Sequence, residues 1–171
     1  MLLLSSSSLK GYGLHRVFQF ARDADYTGID LALNADDYDV WDEEYILKLS
    51  EEFGVPVLSI TAPEKGMSSE KLEKILVMGR VLGVQILTFS PPHFKDSDTK
   101  WFGAHLAKIK KDIRISVCIQ NVEPKFTFFV IPEYKNATLG HIKTITGDTA
   151  LDILAIDSSS SIDIIKAQKI L

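Results

Sequence analysis

The sequence predicts an α/β protein whose parallel strands form a (β/α) barrel of the TIM-barrel type, with about six of the usual eight βα units visible. Two observations carry this. Strand and helix patterns alternate with short connections, which in one sheet means parallel strands joined by right-handed crossovers. The later strands also carry bulky residues on one face and small polar ones on the other. Leu58 and Ile60 oppose Ser59 and Thr61, and Leu87 and Phe89 oppose Thr88 and Ser90. Val117 and Ile119 then oppose Ser116, Cys118 and Gln120, and Leu154 and Ile156 oppose Ala155 and Asp157. Side chains alternate across a strand, so these stripes define two environments. An open doubly wound sheet is the competing topology, but helices on both its faces call for continuously apolar strands. The polar stripe favours a closed barrel with chemistry at its strand ends.

The elements follow in order. Leu2 to Ser6 reads as the first strand, with the serine run Ser5 to Ser8 at its end. Leu14 to Ala24 is an amphipathic helix that turns Val17, Phe18 and Ala21 inward. Thr27-Gly28 punctuates, and Ile29 to Leu33 is the second strand. Asp42 to Phe53 is the second helix, with Asp42 as N-cap, acidic residues in its first turn and Gly54 as its stop. Val55 to Thr61 is the third strand, ended by Pro63. Ser68 or Ser69 caps a helix that runs to Leu82 and stops at Gly83. Val84 to Ser90 is the fourth strand, ended by Pro91-Pro92. Lys100 to Asp112 is a helix and Ile113 to Gln120 the fifth strand. An irregular section, Pro124 to Asn136, precedes a helix near Thr138 to Ile145. Leu151 to Asp157 is the sixth strand, and Ile162 to Leu171 a last helix.

Composition narrows the function classes. The 171 residues are expected to form one domain, 1–171, with 46% hydrophobic and 25% charged content, as in a soluble globular protein. A net charge of −4 argues against nucleic acid or an anionic membrane as the main partner. The run Met1 to Leu4 is too short for a signal peptide, and no apolar stretch has the length of a membrane helix. The single cysteine, Cys118, excludes an intrachain disulfide and agrees with a reducing cytoplasm. It lies mid-strand in an apolar run, where a buried thiol is the plainer reading than a nucleophile.

The order of these segments resembles the xylose isomerase-like barrels: sugar and sugar-phosphate isomerases and epimerases, with the related endonucleases of abasic-site repair. Tyr26-Thr27-Gly28-Ile29-Asp30-Leu31 resembles the family's Gly-hydrophobic-Glu-Leu second strand, with Asp30 in the acidic place. Val57 to Pro63 resembles a third strand ending in His-Ala-Pro, and Leu82 to Pro91 a fourth strand ending in His-Pro. Val117-Cys118-Ile119-Gln120-Asn121 resembles the fifth-strand Leu-Glu-Asn motif, and Leu154 to Ser160 the sixth-strand Asp-Thr-Gly-His motif. The departures are systematic. Thr61 and Ser90 stand where many relatives have histidines, Gln120 stands in place of the metal-binding glutamate, and Ser160 replaces another histidine.

The resemblance implies a reaction that shifts a hydrogen between adjacent carbons of a sugar, aided by Mn, Mg or Zn and by carboxylate bases. Asp157 is then the expected catalytic group and metal ligand. Glu123 is the reserve carboxylate for both roles if the fifth strand runs on, although its parity opposes that of Gln120. Neutral groups at 61, 90, 120 and 160 weaken any divalent-metal site, because an amide or hydroxyl is a poorer ligand than carboxylate or imidazole.

Gln120, Asn121, Ser90, His93 and Thr61 are the candidate substrate contacts. Gln120 and Asn121 could bond sugar hydroxyls or satisfy loop backbone. His93, after Pro91-Pro92, could act as an acid or base or be a solvated loop residue. Asp157 could equally cap the last helix. Trp41 and Trp101 could floor a sugar site or pack against helices, and Lys65-Gly66 could meet a phosphate, without a glycine-rich cradle. Two functions stay open: a cytoplasmic isomerase or epimerase of a sugar-like small molecule, and a degenerate barrel that binds a small polar ligand or protein partner without turnover. Six strands do not readily close such a barrel, so we expect a homodimer, a further C-terminal segment or a strand added from elsewhere.

Overall fold

The computed structural model describes residues 1–34, 37, 39–96, 98–102, 106, 115–122, 126–128, 130–134, 142 and 149–150. The architecture is α/β with parallel strands. It divides into two compact units: Met1–Pro63 with Lys74–Leu87, and Glu64–Glu73 with the described residues from Thr88 onward.

In the first unit, β1 (Leu3–Ser5) pairs in parallel with β2 (Gly28–Ala32), placing Ser5 opposite Asp30. β2 pairs in parallel with β3 (Val57–Thr61), placing Asp30 opposite Ser59 and Ala32 opposite Thr61. A register shift between Ile29 and Asp30 interrupts the ladder. A short 3-10 turn, Ser6–Leu9, extends from β1, so the serine run ends the strand as expected and then turns.

The helices of this unit form for the reasons the sequence suggests. Along α1 (Leu14–Asp23) the buried residues are Leu14, Val17, Phe18 and Ala21, the i, i+3, i+4, i+7 pattern of one apolar stripe. Gly13, its N-cap, has no side chain to offer, and the Asp39 carboxylate accepts the Leu14 N–H at 3.0 Å instead. Along α2 (Glu43–Phe53) the buried residues are Ile46, Leu49 and Phe53. Asp42 caps it by accepting the Tyr45 N–H, and Gly54 ends it in the left-handed region at φ 66°. α1 packs on α2, where the Phe18 and Phe53 ring centroids lie 6.4 Å apart, and on β1 and β2. Full burial of each of these large side chains contributes about 1.5–3 kcal/mol.

α3 (Ser69–Leu82) starts where Ser68 Oγ accepts the Lys71 N–H, so Ser68 is the capping residue of the two expected. Gly83 ends it at φ 67°. The boundary between the units falls within α3 and again within β4 (Ile86–Phe89). In the first unit Gln85 donates its N–H to the Leu58 carbonyl at 2.9 Å, carrying the ladder from β3 toward β4.

In the second unit the strand order continues from β4 to β5 (Ser116–Gln120). Pro124 to Asn136 does not stay irregular throughout. β6 (Phe126–Thr127) and β7 (Ile131–Pro132) pair antiparallel, with Phe128 turning between them at φ 53°. Strands of two residues are too short to show a period, so alternation had nothing to register. β8 (Thr149–Ala150) pairs in parallel with β5. The Lys100 to Asp112 helix, the Thr138 to Ile145 helix, the Leu151 to Asp157 strand and the last helix lie wholly or mostly outside the described residues.

In β4 and β5 the bulky face expected of the strands is the buried one, whereas in β3 Ser59 is buried and Leu58 half-buried, so burial does not separate the two faces there. Leu87, Phe89, Val117 and Ile119 are fully buried, whereas Thr88, Cys118 and Gln120 are half-buried and Ser116 is exposed. Among the described residues no helix is long and apolar enough to cross a membrane.

Candidate functional site

The polar face of the first unit converges on one carboxylate. Asp30 projects from β2 between Ile29 and Leu31, both fully buried on the opposite face. Its register partner on β1, Ser5, donates its hydroxyl to Asp30 Oδ2 at 2.9 Å. Its partner on β3, Ser59, donates to Oδ1 at 2.5 Å. Thr61, two residues further along the same face, shares its proton between Oδ1 at 3.0 Å and Oδ2 at 3.2 Å. Parallel pairing with period-two side chains is what brings one residue from each of three strands to the same point. Ser7 continues the network through Ser5 Oγ at 3.0 Å, and Ser6 Oγ accepts the Ala32 N–H at 2.9 Å.

Thr61, one of the residues read from the sequence as a substrate contact, lies in a polar cluster in which its immediate partner is the Asp30 carboxylate. Asp30 itself and Ser5 and Ser59 beside it are the residues missing from the expected set. The resemblance had already set Asp30 in an acidic place. The further signal was its parity, a lone polar residue between apolar neighbours in a strand, matching Ser59 and Thr61.

In the second unit, Ser90 follows β4 and Gln120 ends β5, with Asn121 next. Ser90 and Asn121 are buried and Gln120 is half-buried. All three stand at the carboxyl ends of strands of the parallel sheet. Glu123 and Asp157, the expected catalytic and metal-binding pair, lie outside the described residues, as do His105, His141 and Ser160.

His93 is 1% exposed, a buried side chain in place of a solvated loop histidine. A β-bridge joins it to Tyr134, and Phe94 donates its N–H to the Glu133 carbonyl at 2.7 Å. The ring lies between Phe94 and Tyr134, with centroids 4.7 and 5.3 Å away. Nδ1 accepts the Lys95 N–H at 3.2 Å, which assigns the ring proton of the neutral form to Nε2. That nitrogen is buried without a hydrogen-bond partner, 3.8 Å from Glu133 Oε2. Tyr134 belongs to the same cluster. Burial, reinforced by the negative charge of Glu64 and Glu133, a hydrogen bond to Glu64 and the charge of Asp96, pushes its phenol up to about 12.

The loop ahead of α3 is tied down by acidic side chains of the same unit. Asp96 accepts the Gly66 N–H at 2.8 Å and the His93 N–H at 2.9 Å. Lys71 Nζ donates to the Gly66 carbonyl at 2.7 Å. The Gly66 amide that a phosphate could use is thus already bonded to a carboxylate of the chain. The two tryptophans differ in burial, Trp101 being in the core and Trp41 half-buried. Trp101 is fully buried against Phe89 and Phe102, and Trp41 lies under Lys74, whose Nζ is 4.8 Å from the ring centroid.

Among the described residues no group of three His, Cys, Asp or Glu side chains converges, and Glu123 and Asp157, the carboxylates expected to hold a metal, lie outside them. The groups beside Asp30 are the hydroxyls of Ser5, Ser59 and Thr61. Hydroxyls supply neutral oxygens only.

Comparison with models of known protein families matches none of them, and a search of curated proteins finds no significant match.

Proposed function

We propose that this chain is a barrel-type protein of the cytoplasm whose strand ends bind a sugar or sugar phosphate, with the isomerase and epimerase barrels as its nearest functional type. The observation that carries the reading is the Asp30 carboxylate gathered with the hydroxyls of Ser5, Ser59 and Thr61 from three parallel strands. A polyol is recognised by many short polar contacts at fixed spacing, and such a face supplies them on a rigid scaffold. In the second unit, Gln120 at the end of β5 is proposed separately as a substrate contact. Asp157 and Glu123 are the proposed bases for a hydrogen shift between adjacent carbons. Closure of the strands into a barrel and self-association into a homodimer belong to the same proposal.

A second reading, binding without turnover, is favoured by one specific fact. Neutral Thr61, Ser90 and Gln120 occupy positions where the resembling enzymes carry ionisable ligands, and Thr61 is engaged with Asp30. Two measurements separate the readings. Calorimetric titration with pentoses, hexoses and their phosphates tests sugar binding, and absence of any saturable signal sinks the isomerase and the sugar-binding form of the second reading, leaving only a protein partner or another small polar ligand. Proton NMR in deuterated water tests turnover, because a hydrogen shift through a base exchanges the substrate C–H with solvent. Exchange that disappears in Asp157→Asn supports the isomerase, while binding with no exchange leaves the ligand-binding protein. A Gln120→Ala variant with undiminished sugar affinity removes Gln120 from its assigned role.

A further inference from the structure

The hydroxyl protons around Asp30 all run inward. Ser5, Ser59 and Thr61 each donate to the carboxylate. Because the single Ser5 proton is committed there, the 3.0 Å contact between Ser5 and Ser7 has Ser7 as donor. Ser6 Oγ is an acceptor for the Ala32 N–H. A hydroxyl has one proton and two lone pairs, so a hydroxyl whose proton is pinned presents only lone pairs to a newcomer. The carboxylate has about four lone-pair directions and three protons directed at it, which leaves it room to accept as well. Among the described residues no lysine or arginine pairs with Asp30. Ser5, Ser7, Asp30 and Thr61 are each partly open to solvent. The cluster is a rim of acceptors around one negative charge.

We infer that this position takes a hydrogen-bond donor from its ligand, prefers a protonated amine to a neutral hydroxyl, and rejects a phosphate ester; this rests on the polyol-binding reading above and narrows its ligand class to an amino-substituted polyol. An ammonium brings three protons to the lone pairs of the rim and is attracted by the carboxylate, and such charge-assisted bonds are the strong ones. A phosphate brings only acceptors and a like charge, so each contact it makes here is repulsive. A net charge of −4 on the chain acts in the same direction at longer range.

The test is a calorimetric comparison of D-glucose, D-glucosamine and D-glucose 6-phosphate on the full chain, at a pH where the amine is protonated. Glucosamine is expected to bind about ten-fold tighter than glucose, with glucose 6-phosphate weaker than both. The preference for the amine shrinks as salt is raised and is erased in Asp30→Asn. The wild-type ranking needs no variant to be stable, and Thr61→Val, which leaves the charge in place, keeps the ranking. Equal affinity for glucose and glucosamine, or tightest binding of glucose 6-phosphate, overturns the inference and leaves the polyol reading standing. Failure of all three sugars to bind removes the polyol reading and this inference with it.

Discussion

Asp98 and Ser69, 29 residues apart in sequence, meet through two hydrogen bonds: Asp98 Oδ2 accepts the Ser69 backbone N–H at 2.9 Å and its hydroxyl at 2.6 Å. The other oxygen accepts the Lys100 N–H at 2.9 Å. Ser69 opens α3, so a distant carboxylate supplies one of the acceptors that the first turn of a helix lacks, beside the local Ser68 cap. The Ser69 hydroxyl first, then the Ser69 and Lys100 amides, hold Asp98 down to about 2 from its ordinary 3.8.

The direction of the pH effect follows. The folded value lies below the unfolded one, so the unfolded chain binds the proton more readily. The contribution of Asp98 is fully present above its unfolded value of 3.8 and is lost as pH falls through its folded value of about 2. Asp98→Ala is expected to lower the thermal midpoint at neutral pH by a few degrees and to leave it unchanged in strong acid. Parallel shifts at both pH values would show that the side chain acts through packing rather than charge.

Tyr134 works in the opposite sense. Its phenol is raised from 10.0 to about 12, so the folded protein holds that proton after the unfolded chain has released it. Its contribution is fully present below pH 10 and is lost as pH rises toward 12. Ultraviolet difference titration of the native protein is expected to show one tyrosine ionising late, and Tyr134→Phe to remove that late step. A titration in which all tyrosines ionise together near their ordinary value contradicts the placement of Tyr134 beside Glu64 and Glu133.

Gly28, at the start of β2, leaves no space for a side chain against Pro56 and Leu58. A Cβ there would lie 2.7 Å from the Pro56 carbonyl oxygen and 2.9 Å from Leu58 Cγ and Cδ1. The Pro56 oxygen is not free to move, since it accepts the Ile29 N–H at 2.9 Å. Gly28→Ala is expected to destabilise by about 1–3 kcal/mol, the range for forced overpacking. Chemical denaturation reads this as a lower midpoint at unchanged slope. A neutral effect would mean that the strands separate at this point without loss.

The Asp30 cluster should behave as a unit. Ser59→Ala removes one hydroxyl from the carboxylate and is expected to cost about 1–2 kcal/mol. Combined with Asp30→Asn it should cost less than the sum of the two, with a coupling energy of about 0.5–3 kcal/mol in a double-mutant cycle. Additive effects would mean that Ser59 and Asp30 do not depend on each other.

Several of these relationships were readable in advance and others were not. The cap at Asp42, the stops at Gly54 and Gly83, and the apolar stripe of Val17, Phe18 and Ala21 are local. Each depends on residues within a turn or two, and all are found as expected. The sharing of one strand face by Ser59 and Thr61 is also local. That this face meets Asp30 depends on register, which a period of two does not specify. The hairpin within Pro124 to Asn136 escaped notice because its strands are two residues long. His93 read as a loop residue after two prolines. Its burial comes from Phe94, Glu133 and Tyr134 folding over it, a contact across some 40 residues of chain.

By itself, then, the amino-acid sequence determined that strands and helices alternate, where several of them start and stop, and that bulky and polar residues keep to opposite faces of the strands. These properties are set by backbone preferences and by periods of 2.0 and 3.6 residues, which are present in any short window of chain. Only the tertiary structure decided that Asp30 collects hydroxyls from β1 and β3, that Asp98 caps a helix 29 residues before it, and that His93 is enclosed. Those pairings join residues far apart in the chain. They exist because strand register and loop closure bring particular atoms within hydrogen-bonding distance, and neither is encoded in a local pattern.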